Sequence, residues 1–209
     1  MDERAQKIIV SALKSFEQFG VRSISVDDIC KEQRLSKKTF YQFFPSKDDL
    51  GSEVLQYRNN LLFDKFDRMC RNKNAIDALI IMIKEIKKSS KHDSNESNPF
   101  LFDLEKYYPA ILSQANDKVS DCMRDSFERN LRQGIEEGYY RTDLDVEMSA
   151  IFHAAILKST FKELKNIFPK ISVRRLNDFY IDLIVRLIAN EAGLKYIESH
   201  IKNESVENL

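Results

Sequence analysis

Between Ser25 and Leu50 the chain reads SVDDICKEQRLSKKTFYQFFPSKDDL, and its punctuation leaves little freedom in how it folds. Ser25 is a helix-capping residue, and Asp28 three residues on closes a capping box while its charge suits a helix N-terminus. Ile29 and Cys30 are the inward pair of this first short helix. Leu35 has the size to plug the turn that follows, and Ser36 caps a second short helix on which Phe40, Phe43 and Phe44 recur at roughly helical spacing. Pro45 ends that helix and Ser46 caps the next. The spacing predicts two short helices joined by a tight turn, then a third, longer helix.

Once the apolar residues are turned inward, Ser36, Lys37, Lys38, Thr39, Tyr41 and Gln42 remain for the outer side. Lysine donates to a guanine edge or a phosphate, and serine, threonine and tyrosine hydroxyls donate to phosphate oxygens. Lys47 falls in the first turn of the following helix, where free backbone N–H groups favour an anion such as phosphate. The chain as a whole has a formal charge of +0, which argues against a uniformly basic coat. From Lys31 to Lys47, however, five basic residues face one acidic residue, a local excess of +4.

This segment resembles the DNA-binding domain of TetR/AcrR-type bacterial transcriptional regulators. The residues that carry the resemblance are Ser25 to Ile29 opening the first helix of the motif, Leu35-Ser36 in its turn, and Thr39-Phe40-Tyr41 in the recognition helix. Phe44 and Ser46-Lys47 through Leu50 lead into the fourth helix. Two positions depart from the pattern. The family usually has Ala-Gly-Val-Ser at the turn where this chain has Gln33-Arg34-Leu35-Ser36, and Lys38 stands where glycine or alanine is frequent. The likeness covers residues 1 to about 55; beyond that only length and helical character agree.

With 5 glycines and 4 prolines in 209 residues, the chain is poor in turn formers, which favours a mostly helical protein over a β-rich one. The expectation is an all-α chain: a three-helix helix-turn-helix DNA-binding domain over residues 1–48 and a helical ligand-binding and dimerisation domain over 49–209. Cys30, Cys70 and Cys122 lie far apart without metal-ligand spacing. They read as reduced, largely buried thiols, with a redox-sensing thiol as the sharper alternative. The N-terminal MDERAQKIIV is charged and then helical rather than a signal peptide. No apolar run approaches the ~20 residues a membrane span needs, so the expected location is the cytoplasm, with no membrane partner.

Residues 3 to 19 place Ile8, Ile9, Ala12, Leu13, Phe16 and Phe19 on one helix face, with Gly20 suited to its C-terminal cap. A long helix is expected from Lys47 to about Arg71 and another from Ala75 to Lys88. The polar run from Ser89 to Asn98 reads as a loop in which His92 is a solvated residue. Asn98-Pro99 restarts a helix rich in aromatic residues, and a further helix runs from about Asn116 to Glu137, stopped by Gly138. Two last helices are expected near 146–165 and 172–192, separated by Pro169, with a polar tail from Glu198. The first offers the small residues Ala154, Ala155 and Ser159 for close approach, and the second repeats Leu176, Phe179, Tyr180, Leu183, Ile184, Leu187 and Ile188. Their apolar faces suggest a homodimer through a four-helix bundle, with His153 packed or at that interface.

Phe102, Tyr107, Tyr108 and Phe127 carry two readings, core packing or the wall of a pocket for a partly apolar small molecule. The family's effector pocket lies among the middle helices, which favours the second reading without fixing residues. The resemblance therefore implies a ligand-responsive regulator, most often a repressor, that binds a palindromic operator in double-stranded DNA as a homodimer. No cofactor or metal is expected. An enzyme finds little support, because the chain has no glycine-rich phosphate loop, no histidine-carboxylate metal spacing and no nucleophile motif. An all-helical scaffold without ligand response would explain the apolar faces but not the lysines and hydroxyls crowded around one short capped helix.

Overall fold

The computed structural model describes residues 2–91, 98–157, 167–168 and 170–202. Ten α-helices occupy them: α1 Glu3–Phe19, α2 Val26–Glu32, α3 Lys37–Phe43, α4 Lys47–Cys70, α5 Ala75–Lys91, α6 Pro99–Tyr107, α7 Pro109–Glu136, α8 Val146–Ala155, α9 Val173–Ile188 and α10 Glu191–Lys202. The described residues contain no β-strand. One isolated antiparallel bridge joins Tyr140 to Ala189. His92, Ser159 and Pro169 lie outside the described residues.

The chain divides into two compact units, one of Met1–Lys65 with Asn95–Val119, the other of Phe66–Ser94 with Ser120–Leu209. In the first unit Ile8, Ile9 and Phe16 of α1, Ile29 of α2, Phe40 of α3, Leu50 and Val54 of α4, and Phe100 and Leu104 of α6 are almost wholly buried. Each such side chain contributes on the order of 2 kcal/mol by leaving water. The Phe16 and Phe100 rings meet at 5.6 Å, so α6 completes the core that α1 begins. Gly20 closes α1 at φ +81, and its N–H returns to the Phe16 carbonyl.

The second unit is centred on Ile76, Leu79 and Ile83 of α5, Leu131 of α7, Tyr140, and Ile184 and Ile188 of α9. The Tyr140 hydroxyl lies 3.1 Å from the Ala75 carbonyl and 3.0 Å from Asn130 Oδ1, while Asn130 donates to that same carbonyl at 2.8 Å. Gly134 makes room for this, since a Cβ there would fall 2.1 Å from the Tyr140 ring. His153 is buried, stacked on Phe127 at 3.9 Å and hydrogen-bonded to the Tyr180 hydroxyl.

The helix expected over 172–192 stops instead at Ile188, and a further helix, α10, runs from Glu191 to Lys202, into the tail expected from Glu198. The cause is local. Ala189 is extended, at φ −79 and ψ 139, where it bridges to Tyr140. Asn190 then donates from its side chain to the Gly138 carbonyl and accepts the Gly193 N–H, which starts α10. Cys30 is buried, as expected, whereas Cys70 is half-buried and Cys122 exposed. Leu61 and Leu62 of α4 are also exposed.

Candidate nucleic-acid interface

The site is built from caps. Ser25 Oγ accepts the Asp28 N–H at 3.1 Å, and the Asp28 carboxylate accepts the Ser25 N–H at 2.8 Å, so the capping box at α2 is complete. The Ser25 hydroxyl holds the Asp28 carboxyl below its ordinary range. At the other end of α2 the Leu35 N–H reaches the Cys30 carbonyl at 2.9 Å and the Arg34 N–H the Lys31 carbonyl at 3.3 Å. This pair of bonds defines a Schellman ending, which needs one left-handed residue, and Arg34 supplies it at φ 51. Leu35 packs against the core of the first unit, which fixes how α3 leaves the turn.

Ser36 caps α3: its Oγ accepts the Thr39 N–H at 3.1 Å and lies 2.9 Å from the Thr39 hydroxyl. With Phe40 wholly buried and Phe44 nearly so, Lys37, Lys38, Tyr41 and Gln42 are exposed and Thr39 is half-buried. Tyr41 stands edge-on to Phe40 at 5.3 Å, which props its hydroxyl away from the core. The two lysines differ. Lys37 Nζ lies 2.9 Å from Asp27 Oδ1 of α2, and that carboxylate holds the ammonium above its ordinary value. Lys38 has no such partner among the described residues.

Lys47 opens α4 half-buried, and burial pulls its ammonium below the ordinary value, with the Arg22 guanidinium acting in the same direction. Ser46 accepts the Asp49 N–H at 3.1 Å and donates to the Asp49 carboxylate at 2.7 Å. One orphan N–H of this helix end is thereby used, and Asp48 and Asp49 set negative charge beside it.

The four aromatic residues considered for a ligand pocket fall in different places. Phe102 and Tyr107 border an open groove of about 340 Å³ in the first unit, together with Phe19, Gly20, Arg22 and Asp103. The Arg22 guanidinium sits over the Tyr107 ring at 4.2 Å, and hydrogen bonds from Lys106 and then Arg22 hold the phenol below its ordinary value. Tyr108 packs against the core of the first unit, and burial raises its phenol. Phe127 is buried in the second unit beneath His153. Sequence reasoning missed Asp27, Arg22 and Asp103. Asp27 meets Lys37 across two helices, a pairing without a spacing signature, and Asp103 acts on a residue 81 positions earlier.

Among the described residues no group of three or more His, Cys, Asp or Glu side chains could hold a metal ion, and no helix is long and apolar enough to cross a membrane. A capped seven-residue helix with polar side chains outward, set on a short helix by a tight left-handed turn, is a helix-turn-helix reader of duplex DNA. Residues 8–54 match the family described as bacterial regulatory proteins, tetR family, so this segment is a DNA-binding head of the type those transcriptional regulators carry. The HTH-type transcriptional regulator YuxN of Bacillus subtilis is 43% identical over 65 residues, so the match spans 31% of this chain and 22% of YuxN. IcaR of Staphylococcus aureus, negative transcriptional regulator of the icaADBC biofilm operon, is 24% identical over 167 residues, 77% of this chain and 76% of IcaR. A transcriptional regulator from Cytophaga hutchinsonii shares the fold with a TM-score of 0.72 at 18% identity, over 90% of this chain and all of that one.

Proposed function

We propose that this chain is a repressor that binds a palindromic operator as a homodimer and leaves it when a small, partly apolar effector binds. The observation that carries the reading is the row Lys38, Tyr41 and Gln42, exposed on a helix whose opposite side, Phe40, is wholly buried. In this reading Lys37 and Lys38 reach base edges, while Ser36, Thr39, Tyr41, Gln42 and Lys47 hold the phosphates and set register. IcaR's description as a negative regulator supports repression.

DNA reading is assigned to residues 1–48, and dimerisation and effector binding to 49–209. This division is one of labour, because α6 packs into the same core as α1. Dimerisation is assigned to α8 and α9, whose Met148, Ile151, Phe152, Phe179 and Leu183 are exposed apolar side chains. Two such subunits would set their α3 helices in successive major grooves, about 34 Å apart. An effector bound in the groove that Phe102 and Tyr107 border would favour a state with a different spacing, and its affinity difference between the states sets how much operator is released. The proposed location is the cytoplasm, where the DNA is.

The test is retarded migration of duplexes tiled across the promoter of the chain's own gene. One palindrome is expected to bind with an affinity that falls steeply between ~50 and ~200 mM salt. Binding no stronger than to a scrambled duplex would favour a helical scaffold instead.

A further inference from the structure

Two adjacent lysines open α3, and the fold treats them differently. A cation in the first turn of a helix faces the positive end of the helix dipole, an unfavourable place unless a carboxylate compensates. For Lys37 that carboxylate is Asp27, 2.9 Å away on α2. Asp28, the other acidic residue of that first turn, is taken up by the capping box, so Asp27 is the one left over for a neighbouring helix. The side chains of Lys37 and Asp27 are 58% and 68% exposed, so solvent weakens the pair and a phosphate can compete for the ammonium. Lys38 faces no such competition.

We propose that Asp27 is a specificity-determining residue: it holds Lys37 back from the phosphates of non-cognate DNA and so lowers the background affinity of the reading head. The proposal rests on Lys37 belonging to the DNA face. On random sequence Lys37 must exchange its carboxylate for another weak, screened contact, with a phosphate, so it adds little and releases little counterion. On a cognate site a well-placed acceptor in the groove can outbid Asp27. The carboxylate thereby widens the gap between specific and non-specific binding, which decides how a regulator finds its site among competitors.

The test uses the full chain and a random-sequence duplex of ~30 base pairs, with binding followed by fluorescence anisotropy over a range of sodium chloride. Four proteins are compared: wild type, Asp27→Asn, Lys37→Gln and the double variant, each checked for an unchanged circular dichroism spectrum. Asp27→Asn should bind about three- to tenfold tighter at ~100 mM salt, with a salt slope steeper by up to ~0.9. The gain should vanish in the Lys37→Gln background. An equal gain in both backgrounds would mean that Asp27 merely repels phosphate through space, and no gain would mean that the pair restrains nothing; either result overturns the proposal. Wild-type protein that retards no duplex at any salt would remove the DNA reading itself, and the proposal with it.

Discussion

The Asp103 carboxylate accepts the backbone N–H of Arg22 at 2.9 Å, so a side chain of α6 satisfies the loop that leaves α1. The carboxylate also fills the space beside Gly20, where an added Cβ would lie 2.5 Å from Asp103 Oδ2. Asp103 is buried, and the helix it sits on follows the polar run after residue 88.

Asp103→Ala strands a part-buried N–H and should lower stability to urea by about 1–3 kcal/mol. Gly20→Ala adds the cost of a left-handed alanine to a clash and should lower it by about 2 kcal/mol or more. The clash disappears when Asp103 is shortened, so the double variant should be less damaged than the two losses together. Additive losses would show that the carboxylate and the glycine do not share this space.

Arg34 carries the left-handed turn between α2 and α3 at φ 51, where glycine is the residue without a steric penalty. Arg34→Gly should therefore raise stability by about 0.5–1 kcal/mol after the extra freedom of glycine in the unfolded chain is deducted. Arg34→Val, branched at Cβ, should lower it. Urea midpoints of the three proteins give the order, and a destabilised glycine variant would contradict a left-handed residue 34.

His153 is buried against Phe127 and Tyr180, and loss of hydration pulls its pKa down to about 4. The unfolded chain binds this proton near pH 6.5 and the folded one does not, so stability should fall as pH drops from about 6.5 toward 4. The loss attributable to this group is up to about 3 kcal/mol. His153→Gln lacks the proton site, and the difference between the two stability–pH curves isolates it. Parallel curves through this window would show that His153 is accessible to protons in the folded state.

Phe179 is 67% exposed on α9, with Leu183 one turn further along and also exposed. Phe179→Asp should convert the proposed dimer into a monomer in sedimentation at micromolar concentration, without lowering the helical content. It should also weaken operator binding strongly, because each head then binds alone. A wild-type protein already monomeric at that concentration would defeat the assembly.

The reading head was legible because its decisive residues act locally. Ser25 with Asp28, Ser36, Leu35 and Gly20 each cap or close a helix within a few positions of themselves, and the structure has helix ends at each. The second unit was less so. The end of α9 at Ile188 is imposed by Tyr140 and Gly138, some fifty residues earlier, through a bridge and the Asn190 side chain. No periodicity within 172–192 carries that information. The Asp27–Lys37 pair was hidden for the same reason, since the local charge count from Lys31 onward leaves Asp27 out. The exposed Cys122 shows the converse: a residue type that prefers interiors stands on the surface.

The exposed apolar side chains of α8 and α9 bear on gene dosage. With pairing through those helices, a newly made subunit would hold its operator only weakly until it meets another. At low expression the occupied fraction of a two-headed target then climbs with the second power of total subunit concentration, and halving synthesis cuts occupancy by roughly four rather than two. In the proposed dimer those exposed apolar side chains would set the sharpness of the gene's dose response, quite apart from any base the recognition helix touches.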